Sequence, residues 1–273
     1  MNFPIVSIDV LTSMIPSGAK VAVPKDASGV SIALTRELVR NKVRDLHLIC
    51  VPQSGIQTDI LIGSGVASTI ETSAVSLGEH GGAPRFQEAV RAGSIELFDA
   101  TCPAIYAALQ AGEKGLPFIP LRGLLGTDVL ARRTDWKVID NPFAQNDPIV
   151  LLPALRPDFA LFHTRLADRN GNVFVGSQQD LKQMAHAARK TLVTVEEISD
   201  DDLLIDYDLG PAVLPAVYVT AIALATHGAW PTGLPGQYDQ DDAELARYAA
   251  VAKTREGFTR YIEQWLAMDL VAA

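Results

Sequence analysis

The chain has 273 residues, of which 48% are hydrophobic and 20% are charged. This composition excludes a disordered chain, and the length is enough to bury a large core. The 32 acidic and 23 basic residues give a net charge of −9 with no basic cluster, so we expect no nucleic-acid partner. The N-terminus lacks the positive region of a secretory signal, and no apolar stretch reaches the roughly 20 residues of a membrane span, so we expect a cytoplasmic protein.

Apolar runs alternate with helical patterns through the first half of the chain. Runs rich in β-branched and large apolar residues predict strands, and apolar residues at helical spacing predict helices. In chain order, the patterns predict a strand at 20–23, a helix at 32–39, strands at 45–51 and 68–75, a helix at 84–92, a strand at 95–98 and a helix at 103–111.

The second half continues the alternation. The patterns predict strands at 149–152, 159–163, 172–175 and 191–195, a hairpin turn at 167–171, a helix at 181–190, one extended strand within 213–225, and a helical tail from about 241 to 267. Strands that alternate with helices in this way predict an α/β fold, with an open, mostly parallel sheet flanked by helices. No linker divides the chain, so we expect a single domain over residues 1–273.

Several kinds of active site are excluded by the motifs. No two of the five histidines lie three or four residues apart, and neither Cys50 nor Cys102 has a nearby second cysteine, so we expect no metal site. The sequence contains no phosphate-binding loop, no dinucleotide fingerprint after the first strand and no nucleophile elbow. We therefore expect neither a nucleotide-dependent enzyme nor a serine hydrolase.

Two loops and one cysteine are candidates for a binding site. Glycines flank Glu79 and His80 in a loop that follows a predicted strand, where α/β proteins carry ligands; a solvated loop is an equal alternative. Cys102 precedes a predicted helix whose N-terminus would lower a thiol pKa, although a buried structural cysteine is the more common case. The apolar loop 120–128 suits a ligand or a partner chain, and the Glu196–Glu197 pair is interpreted as solvated charge.

Several segments, taken together in chain order, carry a family resemblance. They are LPFIPLR (116–122), GTD (126–128), IDNPF (139–143), FH (162–163), ADRNGN (167–172), TVEEI (194–198) and GAWP (228–231). Their order and spacing over roughly residues 16–266 resemble the A (alpha) subunit of family I CoA-transferases, most closely the glutaconate CoA-transferase type.

The resemblance implies a CoA-transferase domain of the phosphosugar-isomerase-like class and a homologous B (beta) partner subunit that faces it across the active site. It implies that the catalytic glutamate belongs to that partner and that no catalytic residue lies on this chain. Coenzyme A would then be a substrate, with no other cofactor, and the assembly would be a dimer of A–B pairs.

The sequence departs from the family pattern in two places. Pro24 and Lys25 stand where a Gly-Gly pair is usual, and Trp230 replaces a usual histidine. Cys102 lies at or beside the position where ring-opening hydrolases of the same family carry their glutamate, which argues against that activity. Two alternatives stay open: a CoA-thioester or ring-opening carbon–carbon hydrolase subunit, and a non-catalytic subunit for acyl-CoA binding or assembly.

The candidate site residues lie in loops that follow predicted strands. A hydrolase would need its general base among Glu79, His80 and Cys102. Arg122 is a candidate partner for a substrate carboxylate, and the helix after Cys102 offers N-terminal amides to an anion. The full set of predicted substrate-binding residues is Ser54, Gly55, Ser76, Gly78, Glu79, His80, Cys102 and Arg122.

Overall fold

Seven parallel strands form the centre of the protein in a computed structural model that describes residues 3–268. The strands of these described residues are β1 (Lys20–Pro24), β2 (Leu46–Val51), β3 (Ala67–Thr72), β4 (Glu96–Asp99), β5 (Phe118–Leu121), β6 (Lys137–Asp140), β7 (Pro148–Pro153), β8 (Phe159–Asp168), β9 (Val173–Phe174), β10 (Lys190–Ser199), β11 (Val213–Leu214) and β12 (Ala221–Leu224). The parallel strands lie in the order β12-β10-β8-β1-β2-β3-β4, and the short β9 and β11 extend the sheet in antiparallel fashion beside the far end of β8.

Helices cover both faces of this sheet. They are α1 (Ile8–Ser13), α2 (Ile32–Arg40), α3 (Ile56–Gly63), α4 (Pro84–Ala92), α5 (Cys102–Glu113), α6 (Asp128–Arg132), α7 (Gln179–Ala187), α8 (Asp242–Val251) and α9 (Arg255–Ala267). None of the helices within residues 3–268 is both long and apolar enough to cross a membrane.

Alternation along the strands creates two cores, because successive side chains of a strand point to opposite faces. In β1, Val21 and Val23 pack with α1, α2, α3, α8 and α9, whereas Ala22 packs with α5 and α7 on the other face. Both faces of the central strands are therefore apolar, as expected for a parallel sheet covered by helices on both sides.

The order in which strands are added to the sheet changes sides between β1 and β8. After β1 the chain builds β2, β3 and β4 outward on one side; β8, β10 and β12 later fill the other side. The connections that leave β1 and β8 therefore diverge at their carboxyl ends and leave a crevice between them. In open α/β sheets, ligands bind at such a switch point.

A second, antiparallel sheet of order β5-β7-β6 packs against the α5 and α7 face. A buried ion pair joins the main sheet to this layer: Arg133 donates to Glu71 of β3 at 2.8 Å, and both side chains are less than 7% exposed. The Arg133 guanidinium also lies 4.2 Å from the ring centroid of Trp136. The pair is part of a larger network, because Arg133 also donates to both carboxylate oxygens of Asp135 at 2.8 Å and Nε2 of His47 lies 3.6 Å from Oε2 of Glu71. Loss of Arg133 would remove the closest cationic partner of the buried Glu71.

The predicted fold class and most of the predicted elements are confirmed, and the helix at 84–92 has the predicted bounds. The prediction of one strand within 213–225 was wrong: Pro215 cannot donate a ladder hydrogen bond, and the segment divides into β11 and β12. The helical tail is two helices, because Thr254 caps the start of α9. Helices α1, α3 and α6 and strands β5 and β6 were missed. The predicted domain bounds extend beyond the described residues at both ends.

Candidate active site

The loop after β1 and the middle of β8 make a close backbone contact at the crevice. His163 donates its backbone N–H to the carbonyl of Gly29 at 2.8 Å, and Gly29 has a φ of +94°. A Cβ on Gly29 would lie 2.1 Å from the His163 carbonyl oxygen, so only glycine fits there. The same loop presents Ser28, whose hydroxyl donates to Oε1 of Gln178 at 2.9 Å across the crevice.

Glu196, at the carboxyl end of β10, is the centre of a polar network beside this contact. Its Oε1 accepts from Nε2 of His163 at 2.8 Å, from the hydroxyl of Tyr238 at 2.8 Å and from the N–H of Gly228 at 3.1 Å. Its Oε2 accepts from the N–H of His227 at 2.7 Å. One carboxylate therefore fixes a strand, a tyrosine and the backbone of the segment that follows β12.

The network has a defined direction of proton donation. Burial lowers the pKa of His163, so its ring is neutral near pH 7. Because the Glu196 carboxylate only accepts, Nε2 of His163 carries the ring proton and Nδ1 accepts from Thr194 at 2.9 Å. Thr194 in turn accepts from the hydroxyl of Ser31 at 2.7 Å. The chain of donors thus runs from Ser31 through Thr194 to one side of the imidazole.

The ionisation states of Glu196 and Tyr238 agree with this direction of proton donation. Burial alone would raise the pKa of Glu196, but hydrogen bonds from His163 and Tyr238 outweigh burial and hold the pKa below its ordinary value. Burial also raises the pKa of Tyr238 well above its ordinary value. Glu196 is therefore a carboxylate and Tyr238 a phenol that donates, which is the pairing their 2.8 Å contact requires.

The segment held by Glu196 forms the wall of two cavities at the crevice. Leu234, Pro235 and Gly236 line both. The first, of about 300 Å³, opens towards the end of β8 and the hairpin that follows it. The second, of about 480 Å³, opens towards Asp26 after β1. The Glu196 network therefore sets the shape of both cavities by fixing the wall they share.

Asp26 is a second buried carboxyl at this edge. Its Oδ2 accepts from the N–H of Ile56 at 3.1 Å, at the first residue of α3, while its buried Oδ1 has no hydrogen-bond partner. Burial raises the pKa of Asp26 to about 6. A Cβ on Gly55 would lie 2.0 Å from Asp26 Oδ2, so the carboxyl occupies the space that this glycine leaves open.

The structure places three of the predicted site residues next to each other. The N–H of Ser76 donates to the carbonyl of Ser54 at 3.0 Å, so the loops after β2 and β3 are joined at the carboxyl edge. Ser54 itself is fully buried, and its hydroxyl is 2.6 Å from that of Thr58. Gly55 begins α3 against Asp26. Ser76 is half-buried and is the more accessible of the two serines.

The next predicted residues lie further along the same edge. Gly78, Glu79 and His80 form one turn of 3₁₀ helix, with Gly78 and Glu79 exposed. His80 is directed to α8, where its Nε2 lies 3.0 Å from Oδ1 of Asp242. Cys102 is the first residue of α5 and is exposed, contrary to the buried alternative, with its Sγ 3.2 Å from the Ser73 hydroxyl.

Arg122 lies apart from this set, at the end of β5 in the small antiparallel sheet. It forms a two-point ion pair with Asp147, with Nε at 2.8 Å from Oδ1. The hydrogen bond from Arg122 lowers the pKa of Asp147 to about 2. A substrate carboxylate at Arg122 would have to compete with this internal partner.

Sequence reasoning missed the residues that organise the crevice. The interpretation of Glu196 as solvated charge was wrong, because its side chain is 12% exposed and accepts four hydrogen bonds, whereas Glu197 is exposed. One signal was present: Glu196 directly follows the predicted strand 191–195 and lies two residues beyond Thr194, so a slightly longer strand would place both side chains on one face at its carboxyl end. Within residues 3–268, no group of three or more histidine, cysteine or acidic side chains is arranged to hold a metal ion.

Comparisons with known proteins agree on one family. The sequence model described as coenzyme A transferase matches residues 5–225. The A subunit of 3-oxoadipate CoA-transferase from Pseudomonas knackmussii is 30% identical over 241 residues, which cover 87% of this chain and 84% of that protein. The A subunit of glutaconate CoA-transferase from Acidaminococcus fermentans is 32% identical over 248 residues, covering 84% and 77%.

Solved structures lead to the same family. The crystal structure of the Acidaminococcus fermentans glutaconate coenzyme A-transferase superposes with a TM-score of 0.91 at 26% identity and covers 96% of this chain and 88% of that one. A variant of the decarboxylase AibA/AibB superposes with a TM-score of 0.86 at 29% identity, covering 96% and 98%. The chain therefore belongs to the coenzyme A transferase family and corresponds to the A subunit of its two-subunit members.

Proposed function

We propose that this chain is the A subunit of a two-subunit CoA-transferase, which moves CoA from an acyl-CoA thioester to a carboxylic acid. The B partner supplies the nucleophilic glutamate, and this chain supplies one wall of the site. The named relatives support the reaction class, because two of them are A subunits of CoA-transferases. Coenzyme A is then a substrate, and we propose that the enzyme acts in the cytoplasm without a further cofactor.

The observation that carries the proposal is the state of the two carboxyls that border the crevice. Glu196 is occupied by four donors, and Asp26 is buried against the start of α3. A carboxylate nucleophile needs an oxygen that is free to reach the acyl carbonyl. Both oxygens of Glu196 are engaged by donors, and Oδ1 of Asp26, although it has no hydrogen-bond partner, is buried. This crevice is therefore suited to holding a substrate and not to attacking it.

The reaction transfers groups without a net change of oxidation state. An oxygen of the partner's glutamate bonds to the acyl carbonyl carbon, the C–S bond breaks, and the electron pair leaves with CoA thiolate, which gives a mixed anhydride. The thiolate then attacks the glutamyl carbonyl, the acyl group leaves as its carboxylate, and a glutamyl-CoA thioester remains. The acceptor carboxylate reverses both steps and leaves as the new acyl-CoA.

This chain contributes hydrogen-bond donors and position. Each carbonyl attack produces an oxyanion, which is stabilised by preorganised N–H and O–H donors. The accessible polar parts of the carboxyl edge are the turn at Gly78, the hydroxyl of Ser76 and the start of α5 at Cys102. The Ser76 hydroxyl accepts from the N–H of Gly78 at 3.2 Å and donates to the carbonyl of Gly81 at 3.3 Å, so these donors would have to exchange internal contacts for the oxyanion. We propose these as the parts of the predicted set that face the substrate.

The experiment is covalent trapping in the co-purified A–B complex. The complex is incubated with an acyl-CoA and then with borohydride or hydroxylamine, and mass spectrometry locates the modified residue. We expect a modified glutamate on the partner subunit and no modification on this chain. This chain purified without its partner should transfer no CoA.

A matched variant tests the one exposed thiol at this edge. Cys102→Ala keeps the backbone N–H at the start of α5 and removes the thiol, so the trapped residue should still be the glutamate of the partner subunit. Modification of Cys102 itself, or transfer by the isolated chain, would contradict the proposal. Release of free CoA without any trapped residue would favour the hydrolase alternative, with its base sought at Glu79 or His80.

A further inference from the structure

The carboxyl edge of the main sheet is uneven, because β8 and β10 are longer than β1. Strand β8 pairs with β1 only near its own start, where Val21 lies opposite Phe159, whereas β8 and β10 stay paired to the last residue of each strand. From this register, β8 continues about six residues beyond the end of β1, which is roughly 20 Å of strand. We call this extension, with the loop that follows β10, the acidic arm (residues 164–174 and 195–212).

The loop of the acidic arm is held to its strands by one buried carboxylate. Asp168 is 1% exposed, and its Oδ2 accepts from the N–H of Leu203 at 3.0 Å and from Nδ2 of Asn172 at 2.8 Å. Its Oδ1 accepts from the N–H groups of Asn170 and Asn172, each at 2.9 Å. The loop is therefore fastened at Leu203, directly before its exposed part.

The exposed part of the loop, residues 204–208, carries large side chains into solvent. Ile205 is 84% exposed and Tyr207 is 94% exposed. Asp206, which lies between them, accepts from the N–H of Leu209 at 2.8 Å and so closes a turn. Large side chains on a fastened turn are suited to anchoring a protein partner, and tyrosine is enriched among the residues that dominate binding energy.

The charge of the acidic arm restricts the kind of partner. The sequence between Lys190 and Arg247 contains eleven acidic residues and no lysine or arginine, and five of the acidic residues are aspartates within 200–208. Arg169 of the arm is already paired with Asp200. The surface that receives residues 204–208 should therefore combine an apolar pocket with lysine or arginine around it. A second copy of this chain, with its net charge of −9 and no basic cluster, does not suit this role.

We propose that the acidic arm is an anchor for the B subunit, and that Ile205 and Tyr207 enter an apolar pocket of that subunit with a basic rim. The inference rests on the proposed function, because the partner's nucleophile reaches the crevice only from a chain that lies on the carboxyl edge. The arm extends from that edge. A stable interface buries about 800 Å² on each partner, so the arm adds to contacts made around the crevice.

The experiment measures the dissociation constant of the co-purified A–B complex by dilution in the analytical ultracentrifuge. Tyr207→Ala should raise this constant about ten- to a hundredfold, as for an anchor residue, and Tyr207→Phe should retain most of the affinity. Added salt should slow association of the unmodified subunits, and the double variant Asp201→Asn, Asp208→Asn should reduce that salt dependence.

The matched control is Val90→Ser. Val90 is an exposed apolar residue of α4, outside the acidic arm, and its replacement should change the dissociation constant less than about threefold. Equal losses in Val90→Ser and Tyr207→Ala, or an unchanged constant in Tyr207→Ala, would overturn the proposal.

Two other occupants have their own outcomes. Phe143, in the loop after β6, is 95% exposed on the small antiparallel sheet. Dissociation in Phe143→Ser but not in Tyr207→Ala would place the B subunit on that sheet and overturn the proposal. Self-association of this chain without its partner, if Tyr207→Ala abolished it, would assign the arm to a second copy and overturn it as well.

The assembly measurement needs no acyl-CoA, so it keeps this inference separate from the proposed function. A complex that dissociates in Tyr207→Ala but traps no glutamate on the partner would contradict the transferase proposal and keep the arm as the anchor. A complex that traps the partner's glutamate, and whose assembly is unchanged in Tyr207→Ala, would overturn the anchor and leave the transferase proposal intact.

Discussion

Replacement of Glu196 by glutamine tests whether one carboxylate fixes the crevice wall. The substitution keeps the size of the side chain and replaces one acceptor oxygen by an NH₂ group. If the NH₂ takes the position of Oε2, it faces the N–H of His227 at a site where the present contact is 2.7 Å. If it takes the position of Oε1, it faces three donors instead. The first orientation costs less, because it creates one conflict, in which the new NH₂ group and the N–H of His227 are two donors that face each other.

The magnitude follows from these contacts. A buried donor left without an acceptor costs about 1–3 kcal/mol, and hydrogen bonds to a charged acceptor are stronger than those to a neutral one. One conflict and three weakened bonds predict a loss of about 2–4 kcal/mol in the free energy of unfolding. The low exposure of Glu196, 12%, allows little replacement by water.

The assay is urea unfolding at pH 7.5, together with hydrogen exchange of the amides at residues 227 and 228. Glu196→Gln should lower the free energy of unfolding and speed exchange at both amides. Glu197→Gln is the matched control, because this neighbour is exposed, and it should change stability by less than about 0.5 kcal/mol. Equal effects of the two substitutions, or unchanged exchange at both amides, would refute the reasoning.

Three further predictions concern buried groups elsewhere. Burial raises the pKa of Asp26 from 3.8 to about 6, so the folded state binds this proton more tightly than the unfolded state. The stability that this proton contributes is full below about pH 4 and is lost as the pH rises through 6. Asp26→Asn should therefore flatten this part of the curve of urea midpoint against pH, and an unchanged slope would contradict the assignment. In the separately purified native chain, a thiol reagent should modify only Cys102, because Cys102 is exposed whereas Cys50 is buried and its pKa is raised to about 11. Fast reaction of both thiols would contradict the burial of Cys50. Arg133→Met should cost about 3–5 kcal/mol in thermal or urea unfolding, because it removes the arginine that pairs with the buried Glu71 at 2.8 Å. Arg132→Met, at an exposed neighbour, should cost little, and similar losses for the two variants would rule out the ion pair as the cause.

The sequence by itself determined the layered α/β fold, because that information is local. The continuous apolar runs of β1 and β10 and the amphipathic pattern of α4, which ends at Gly93, are visible in single segments. Helix α3 escaped detection since its residues are buried on nearly every side, so no polar face marks its period. The order and spacing of the short segments along the chain also indicated the resemblance to CoA-transferases, and this required no knowledge of contacts between them.

Only the tertiary structure decided which polar residues belong to the site. Glu196 and Glu197 are adjacent and chemically identical, yet strand alternation directs one to His163 and the other to solvent. Arg122 and Arg165 look alike in sequence, but the first has an internal carboxylate and the second has none among the described residues. Burial and pairing arise from segments that are distant in the chain: Arg122 and Asp147 are 25 residues apart, and Glu196 and Tyr238 are 42 residues apart. Packing between distant segments determines the protonation state of each polar side chain and the groups that it can contact. The local sequence around a residue does not show this packing.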